Sequence, residues 1–200
     1  MKTLSIKPLN SFQIIVLGFA GVILAGALLL MLPVSSATHC VTPFLNALFT
    51  STTSVCVTGL IVVDTGTYWS VFGQAVILVL IQIGGMGVVT VAAAVTIISG
   101  RKIGLMQRST MQEAVAAPKM SGIVRLTGFI IRATLLIELS GAALLAPVFC
   151  RDFGPIRGLW MAVFHSISAF CNAGFDILGR ETPFTSLVNY NNNPIVLGTI

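Results

Sequence analysis

The sequence contains very few charged residues. Only 8% of its 200 residues are Asp, Glu, Lys or Arg, whereas 56% are hydrophobic. Soluble domains carry roughly 25% charged residues, and a soluble protein of this length could not cover so much apolar surface. The scarcity of charge therefore excludes an ordinary soluble domain and predicts a membrane protein.

Aromatic residues other than Phe are also rare, with two Trp and two Tyr. No basic stretch carries aromatic side chains that could stack on bases, so we expect no nucleic-acid partner. In a membrane protein, the net charge of +5 bears mainly on topology.

No two cysteines have the CxxC spacing of zinc or thioredoxin-like sites. We expect Cys40, Cys56, Cys150 and Cys171 to be free thiols, buried as small apolar residues. Cys40 and Cys150 each follow the end of a long apolar run, so a disulfide between them stays an alternative.

Long apolar runs predict membrane-spanning helices. Residues 14–32 are apolar throughout and long enough to cross a bilayer core of about 30 Å. This run is longer than the apolar region of a signal peptide, which favours a retained helix. Further spans are predicted at 71–99 and 123–148.

The basic residues predict the orientation of these helices. Positive charge is concentrated near the N-terminus and between residues 100 and 120, at Lys2, Lys7, Arg101, Lys102, Arg108 and Lys119. The arginines at 151, 157 and 180 are balanced locally by acidic residues. The positive-inside rule therefore predicts a cytoplasmic N-terminus.

The segment between the first two spans is too apolar for an ordinary loop. Thr42 and Pro43 resemble a helix start, with Thr as N-cap and Pro at the first helical position. Residues 44–53 then predict a helix of about 15 Å, which is half a membrane. The chain would return as an extended segment, which is tolerated at that depth only when packed in protein or lining a water-filled cavity.

An internal repeat supports this interpretation. With a shift of 115 residues, Ala47, Phe49, Ser51, Cys56 and Gly59 fall on identical residues. Their counterparts are Ala162, Phe164, Ser166, Cys171 and Gly174. In both copies a spanning helix, a half-length helix and a Gly-containing loop follow one another, and a repeat of this size is an organising feature of the fold.

Small residues after a half-helix can direct backbone carbonyls toward a cation. The carbonyl oxygens then replace its hydration shell, and the C-terminal end of the half-helix adds partial negative charge. The absence of a fixed carboxylate favours a monovalent cation over calcium. The candidate K⁺-binding residues are Cys56, Val57, Thr58, Gly59, Cys171, Asn172, Ala173 and Gly174.

The loops "STTSVCVTGL" and "SISAFCNAGF" resemble the first and second filter loops of the bacterial Ktr-type pore subunit. That subunit belongs to the Trk/Ktr/HKT superfamily of K⁺ transporters, and "QIGGMGVVT" is similar to the start of its first inner helix. The resemblance implies an all-α membrane protein built from helix–pore-loop–helix units like potassium-channel subunits. About two of the four units are present, at 1–110 and 111–200, the second truncated in its last helix, so we expect an N-terminal portion of a longer protein.

The resemblance also implies a potassium uptake pore in the bacterial inner membrane, with K⁺ as substrate and Na⁺ as a candidate coupling ion. Its expected partners are membrane lipid, the remaining two repeats, a second copy in a homodimer and a cytosolic nucleotide-binding (RCK/KTN-type) ring. A Na⁺-permeable relative and a non-transporting membrane assembly protein are the alternatives.

Other residues allow two interpretations. Glu138 lies inside a span and could pair with Arg132 or another segment, or line an ion path. Gly84, Gly85 and Gly87 could form a hinge, although close helix packing is the expected role. His165 and Ser166 suggest a hydrolase only superficially, because neighbouring helical residues point about 100° apart, and we expect no enzyme activity.

Overall fold

A computed structural model describes residues 11–88, 90, 91, 93, 105–114, 123–179 and 183–200. All regular elements within these residues are helical, with one isolated β-bridge between Ser36 and Trp69. The α-helices are α1 (Ser11–Met31), α2 (Phe44–Val55), α3 (Thr65–Tyr68), α4 (Val71–Met86), α5 (Leu105–Ala114), α6 (Ile123–Phe153), α7 (Pro155–Phe170) and α8 (Pro194–Thr199). Two 3-10 segments are Pro33–Ser35 and Ser186–Tyr190.

The long apolar runs form the long helices. Two helices in the described part of the chain are long and apolar enough to cross a membrane, at Phe12–Met31 and Val124–Phe153. The prediction of helices at 14–32 and 123–148 is therefore confirmed. The basic residues at 2, 7, 101, 102 and 119, which predicted the orientation, lie outside the described residues.

The second apolar run, over residues 71–99, is not one uninterrupted helix. Helix α4 ends at Met86, and Gly87 follows with φ of +80°, a left-handed conformation that favours glycine. Helical backbone resumes at residues 88, 90, 91 and 93. The prediction of a continuous helix over 71–99 was therefore wrong at Gly87, because a left-handed residue interrupts the helical path.

The half-helix begins at Phe44, the first residue of the predicted range 44–53, but its cap differs from the predicted one. Pro43, rather than Thr42, occupies the N-cap position, and its carbonyl accepts from the Ala47 N–H at 3.0 Å. Thr42 is fully buried and its hydroxyl accepts from the Tyr68 hydroxyl at 3.3 Å. The predicted Thr42 cap was therefore wrong, because this hydroxyl bonds to the last residue of α3 instead. The helix also continues to Val55, two residues beyond the predicted end.

The half-helices pack against long helices through matching contacts. The Ser51 hydroxyl of α2 donates to the Ile23 carbonyl of α1 at 2.7 Å. The Ser166 hydroxyl of α7, 115 residues later, donates to the Glu138 carbonyl of α6 at 2.6 Å. Ile23 and Glu138 are also 115 residues apart. The spacing of the sequence repeat is therefore also the spacing of these helix contacts.

The core lies where the two sets of helices meet. Trp69, Ile77 and Ile81 are buried on one side, and Phe149 and Phe164 on the other. These side chains belong to a single apolar cluster that includes Val55 and Ala173, next to the Gly-containing loops. The apolar core thus packs directly against both loops, through Val55 and Ala173.

Candidate functional site

The first loop leaves α2 with alternating backbone conformations. Cys56 ends the helix with φ of −82°, and Val57 is left-handed at +55°. Thr58 returns to negative φ, and Gly59 is left-handed again at +71°. A β-branched residue with positive φ is a genuine outlier, and such strain persists where the surrounding structure imposes it, often at functional sites.

The second loop repeats this backbone residue by residue. Cys171 ends α7 with φ of −75°, Asn172 has +54°, and Gly174 has +69°, whereas Ala173 is not left-handed. In a uniformly extended strand successive residues face opposite sides. Left-handed residues at every second position remove that alternation, so consecutive carbonyls can face the same side. The sequence predicted a simple extended segment after each half-helix. That prediction was wrong, because each loop begins with a turn and then has a left-handed residue at every second position.

Hydroxyl groups at the ends of the half-helices hold the loops in shape. The Thr58 N–H donates to the Thr53 carbonyl at 3.0 Å, and the Thr53 hydroxyl accepts from the Leu60 N–H at 2.9 Å. In the second loop the Ala173 N–H donates to the Ser168 carbonyl at 2.7 Å, and the Ser168 hydroxyl donates to the Phe175 carbonyl at 2.6 Å. Thr53 and Ser168 therefore each hold their loop in place through two hydrogen bonds, one at the backbone carbonyl and one at the hydroxyl.

The two loops meet at their glycines. A Cβ atom on Gly59 would lie 2.7 Å from the Ala173 carbonyl oxygen and 3.2 Å from the Gly174 Cα. A Cβ atom on Gly174 would lie 3.3 Å from the Gly59 Cα. Each of these positions therefore requires glycine for two independent reasons. Its backbone is left-handed, and the opposite loop approaches too closely for a side chain. The structure brings the two predicted groups of residues together.

The eight predicted residues differ in exposure. Cys56, Thr58, Asn172 and Gly174 are exposed, and Val57, Gly59 and Cys171 are half-buried. Ala173 is fully buried, so its methyl group packs inward and only its backbone faces Gly59. Seven of the eight residues are thus at least partly exposed.

A polar chain connects the second loop to the neighbouring helices. The Gln82 side-chain amide donates to both carboxylate oxygens of Glu138, at 2.8 and 3.0 Å. The Cys171 thiol donates to Gln82 Oε1 at 3.8 Å. Glu138 is buried and Arg132 is exposed. Six residues turn a helix by roughly 240°, so Arg132 is on a different face, and the partner of Glu138 comes from another segment.

The glycines of α4 make room for the loops. A Cβ atom on Gly84 would collide with the Val55 carbonyl, and one on Gly85 would lie 2.5 Å from the Cys171 sulfur. Close packing is therefore confirmed as the role of these two glycines. Gly87 has no such packing role, because a Cβ atom there would have space, with Thr90 Oγ1 at 4.0 Å as its nearest neighbour. Gly87 instead ends the helix.

The buried histidine has a structural environment. His165 Nδ1 lies 2.7 Å from the Met161 carbonyl, and the Ile177 N–H donates to Nε2 at 3.4 Å. A carbonyl only accepts and an N–H only donates, so Nδ1 carries the proton and the ring is neutral. The Ser166 hydroxyl donates to Glu138 instead. The ring therefore ties the segment after Gly174 to α7 and does not serve as a base for Ser166.

A carboxylate connects the segments that follow the two loops. Asp64 is buried and caps α3, where Oδ1 accepts from the Thr67 N–H at 2.7 Å. Its Oδ2 accepts from the Phe184 N–H at 2.7 Å. A Cβ atom on Gly179 would collide with this carboxylate. One side chain thus holds together two segments 120 residues apart.

The cysteines are free but not all buried. Cys40 and Cys56 are exposed, and Cys150 and Cys171 are half-buried. The alternative of a Cys40–Cys150 disulfide was wrong, and so was the prediction that all four are buried. Cys56 and Cys171 end half-helices at the loops, where the backbone turns away from the helix.

Sequence comparison identifies the family to which these loops belong. A model of the TrkH family, described as "Cation transport protein", matches residues 4–200. The chain belongs to the TrkH family. The resemblance of the two loop motifs to this group is therefore confirmed, and the all-helical architecture agrees with a family of membrane transporters.

Curated members of the family are similar over most of this chain. The chain is 41% identical over 173 residues to the potassium/sodium uptake protein NtpJ of Enterococcus hirae, covering 86% of the chain. It is 41% identical over 184 residues to the Ktr system potassium uptake protein B of Bacillus subtilis, covering 92% of the chain. The corresponding protein of Vibrio alginolyticus is 36% identical over 188 residues, or 94% of the chain. The matches span 38–40% of the length of these relatives.

The residues that support the loops carry weaker sequence signals than the loops do. Ser51 and Ser166 were visible as a repeated pair, but their helix carbonyl partners were not. Thr53 and Ser168 share a hydroxyl at equivalent positions, which could have predicted a common clamp. Gln82 and Glu138 are 56 residues apart, and no local pattern connects them.

Proposed function

We propose that this chain forms part of the ion-conducting pore of a potassium uptake transporter. The observation that carries this proposal is the meeting of two loops with the same alternating backbone at Gly59 and Gly174. Carbonyl groups on such loops can replace the hydration shell of a cation. The relatives' names, potassium/sodium uptake protein and Ktr system potassium uptake protein B, support the same substrate.

In this proposal K⁺ is bound by backbone carbonyls from two short segments. The first comprises Cys56, Val57, Thr58 and Gly59, and the second comprises Cys171, Asn172, Ala173 and Gly174. Helices α2 and α7 both end at these segments, so the partial negative charge of each C-terminus favours a cation there. The side chains at 53 and 168 keep the loops in place without contacting the ion.

We further propose that residues 1–110 and 111–200 are two helix–pore-loop–helix units, with the boundary in α5. The matching contacts of Ser51 and Ser166 support this division. Two loops can provide only half of a four-sided filter. The other half would come from two more repeats in a longer protein, in agreement with the 38–40% coverage of the relatives.

We also propose the surroundings of this pore. We place it in the bacterial inner membrane with its N-terminus in the cytoplasm, as the basic residues predict. A homodimer, a cytosolic nucleotide-binding ring and Na⁺ as a coupling ion remain parts of the proposal. The proposal is transport and includes no catalysis; the separate backbone partners of the His165 ring and the Ser166 hydroxyl support it.

A Na⁺-permeable transporter is the second candidate. It is favoured by the name of one relative, a potassium/sodium uptake protein that is 41% identical. The two candidates share the loops and differ in ion preference. Uptake of K⁺ and Na⁺ measured in parallel separates them.

The test uses an uptake-deficient bacterium that expresses the full-length gene under potassium limitation. The wild type should restore growth, and Gly59→Ser or Gly174→Ser should reduce K⁺ uptake roughly tenfold, the effect of about 1.4 kcal/mol. Gly21→Ser and Gly128→Ser are matched controls, because a Cβ atom at either position meets nothing within 4 Å. Failure of the wild type to restore growth rejects potassium uptake, and unchanged flux in both loop variants rejects the filter.

A further inference from the structure

Glu138 on α6 is connected twice to the second half-helix and its loop. Its backbone carbonyl accepts from the Ser166 hydroxyl at 2.6 Å, which joins α6 to α7. Its carboxylate accepts from Gln82 Nε2 at 2.8 and 3.0 Å, and Gln82 Oε1 in turn accepts from the Cys171 thiol at 3.8 Å. Glu138 is thus linked directly to the half-helix, and through Gln82 to the first residue of the second loop.

The carboxylate determines which way the Gln82 amide points. An ionised carboxylate only accepts hydrogen bonds, whereas a glutamine amide donates at its nitrogen and accepts at its oxygen. The nitrogen of Gln82 therefore faces Glu138, and the oxygen is left for the Cys171 thiol. Without the carboxylate, the amide could turn over and present its N–H groups to the sulfur. Glu138 thus orients the acceptor that holds Cys171.

Helix α4 also holds Cys171 through a glycine. A Cβ atom on Gly85 would lie 2.5 Å from the Cys171 sulfur and 2.9 Å from its Cβ. Residues three apart lie on the same face of a helix, so Gln82 and Gly85 together form a slot for this side chain. Cys171 ends α7 and precedes the left-handed Asn172. The slot therefore fixes where the second loop begins.

The equivalent residues of the first loop differ. The position 115 residues before Glu138 is Ile23, whose side chain neither donates nor accepts a hydrogen bond. Cys56, the equivalent of Cys171, is exposed. The loop backbone therefore forms in the first unit without a carboxylate at this position. A carboxylate inside a membrane-spanning helix is costly and is usually retained for function, which indicates that Glu138 serves the second loop specifically.

We propose that Glu138 is a positioning residue for ion selectivity. Through Gln82 it fixes Cys171, and with it the first carbonyls that the second loop directs toward K⁺. Carbonyls that replace a hydration shell must suit the ion that they bind, so displacing them changes the preference for K⁺ over Na⁺. Glu138 itself does not contact the ion. This role rests on the proposed function and names a residue that sets the ion preference of that site.

Uptake of K⁺ and Na⁺ by cells that express the full-length protein tests the effect on selectivity. Glu138→Gln should lower the preference for K⁺ about tenfold, as expected for one hydrogen bond to a charged group, through the KM for K⁺ rather than the maximal rate. The exchanged pair Gln82→Glu/Glu138→Gln should restore the preference, because the carboxylate at position 82 can accept from both the new amide and the Cys171 thiol.

Asp152→Asn is the matched control for Glu138→Gln. It removes a carboxylate from the same helix, where Asp152 accepts from the Tyr190 hydroxyl at 2.9 Å and is exposed. The preference for K⁺ should remain as in the wild type. A loss equal to that of Glu138→Gln would show that negative charge on α6, rather than the link to Cys171, sets the preference, and would overturn the proposal.

A further variant separates positioning from direct contact with the ion. Cys171→Ala removes the thiol and should lower the preference as far as Glu138→Gln does, and it remains the test if Glu138→Gln does not fold. Combining the two changes should cause no further loss. Losses that multiply would overturn the proposal, because Glu138 would then act without Cys171. So would an unchanged preference in either single variant, or failure of the exchanged pair to restore it.

Thiol labelling of the purified full-length protein provides a readout that does not depend on transport. A maleimide should label Cys171 about tenfold faster in Glu138→Gln than in the wild type, since the same hydrogen bond no longer opposes local opening. The exposed Cys56 should label at the same rate in both, and the exchanged pair should label Cys171 as the wild type does. Unchanged labelling of Cys171 would reject its positioning by Glu138. A wild type that takes up no K⁺ would instead reject the proposed function and the effect on selectivity, while the labelling still decides the positioning.

Discussion

The Ser166 hydroxyl donates a hydrogen bond of 2.6 Å to the backbone carbonyl of Glu138. It connects the second half-helix to the long helix beside it, as Ser51 connects the first half-helix to Ile23. Glycines at positions 26 and 141, also 115 residues apart, make room for these hydroxyls, since a Cβ atom on either would collide with the serine oxygen. Small residues at a membrane helix contact thus permit both close approach and a polar bond.

The first prediction concerns the pair Gly141 and Ser166. Gly141→Ala should lower the free energy of unfolding by about 1–3 kcal/mol through overpacking, and Ser166→Ala by about 0.6 kcal/mol through the lost hydrogen bond. The double variant should be at least as stable as Ser166→Ala alone, because the new methyl group then has space and alanine favours a helix. Unfolding of the purified protein in denaturant measures this coupling.

The corresponding pair of the first half-helix is its control. A Cβ atom on Gly26 would meet Leu80 Cδ1 at 2.7 Å in addition to the Ser51 hydroxyl. Ser51→Ala should therefore not rescue Gly26→Ala. Equal rescue in both pairs would contradict the contacts described for Leu80.

A second prediction ranks the two loop glycines. Alanine at either position adopts a left-handed backbone at a cost of about 1–2 kcal/mol. Gly59→Ala also places its methyl group 2.7 Å from the Ala173 carbonyl oxygen, whereas at Gly174 the nearest atom is the Gly59 Cα at 3.3 Å. Gly59→Ala should therefore reduce K⁺ uptake and the melting temperature more than Gly174→Ala does. The reverse order would show that the loops do not approach each other in this way.

A third prediction uses the left-handed residue of the second loop. Asn172 is exposed and has φ of +54°, so Asn172→Val should destabilise the protein by about 1–2 kcal/mol, since β-branched residues disfavour this conformation. Asn172→Gly should be tolerated, as glycine adopts positive φ freely. Thermal unfolding and K⁺ uptake provide the readouts. Asn191 is an exposed control with φ of −57°, and Asn191→Val should change neither measurement.

A fourth prediction concerns the buried pair of Gln82 and Glu138. Gln82→Leu removes the amide that donates to both carboxylate oxygens, and leaving a buried charged group without a donor costs about 1–3 kcal/mol or more. The Gln82→Leu/Glu138→Leu double variant should be more stable than Gln82→Leu, because replacing both partners removes the polar group as well. The midpoint of denaturant unfolding compares the two variants. A double variant that is less stable than Gln82→Leu would indicate that Glu138 has a role beyond this pair, such as contact with an ion.

Local sequence features predicted the helical elements well. A run of apolar residues over 14–32 can form only a helix in lipid, since every backbone group must bond within the segment. The half-helix and the two loop glycines were visible because the same residue types return after 115 positions. These features depend on composition and spacing, which the sequence contains directly.

Helix ends and partners were predicted less well. Thr42 has the residue type of an N-cap, yet its hydroxyl bonds to Tyr68, which is distant in sequence. The run over 71–99 has the hydropathy of a single helix, yet Gly87 interrupts it, because hydropathy does not report backbone conformation. Glu138 could have paired with Arg132 by proximity, but the turn of the helix separates them.

The sequence by itself determined that this protein is a helical membrane protein, which two helices are long and apolar enough to cross a bilayer, and which two loops correspond. These properties follow from hydropathy and from the repeat. Only the tertiary structure decided that Gly59 and Gly174 approach each other and that Gln82 pairs with Glu138. Such contacts join residues 56 to 115 positions apart, and their geometry depends on how the helices pack against one another.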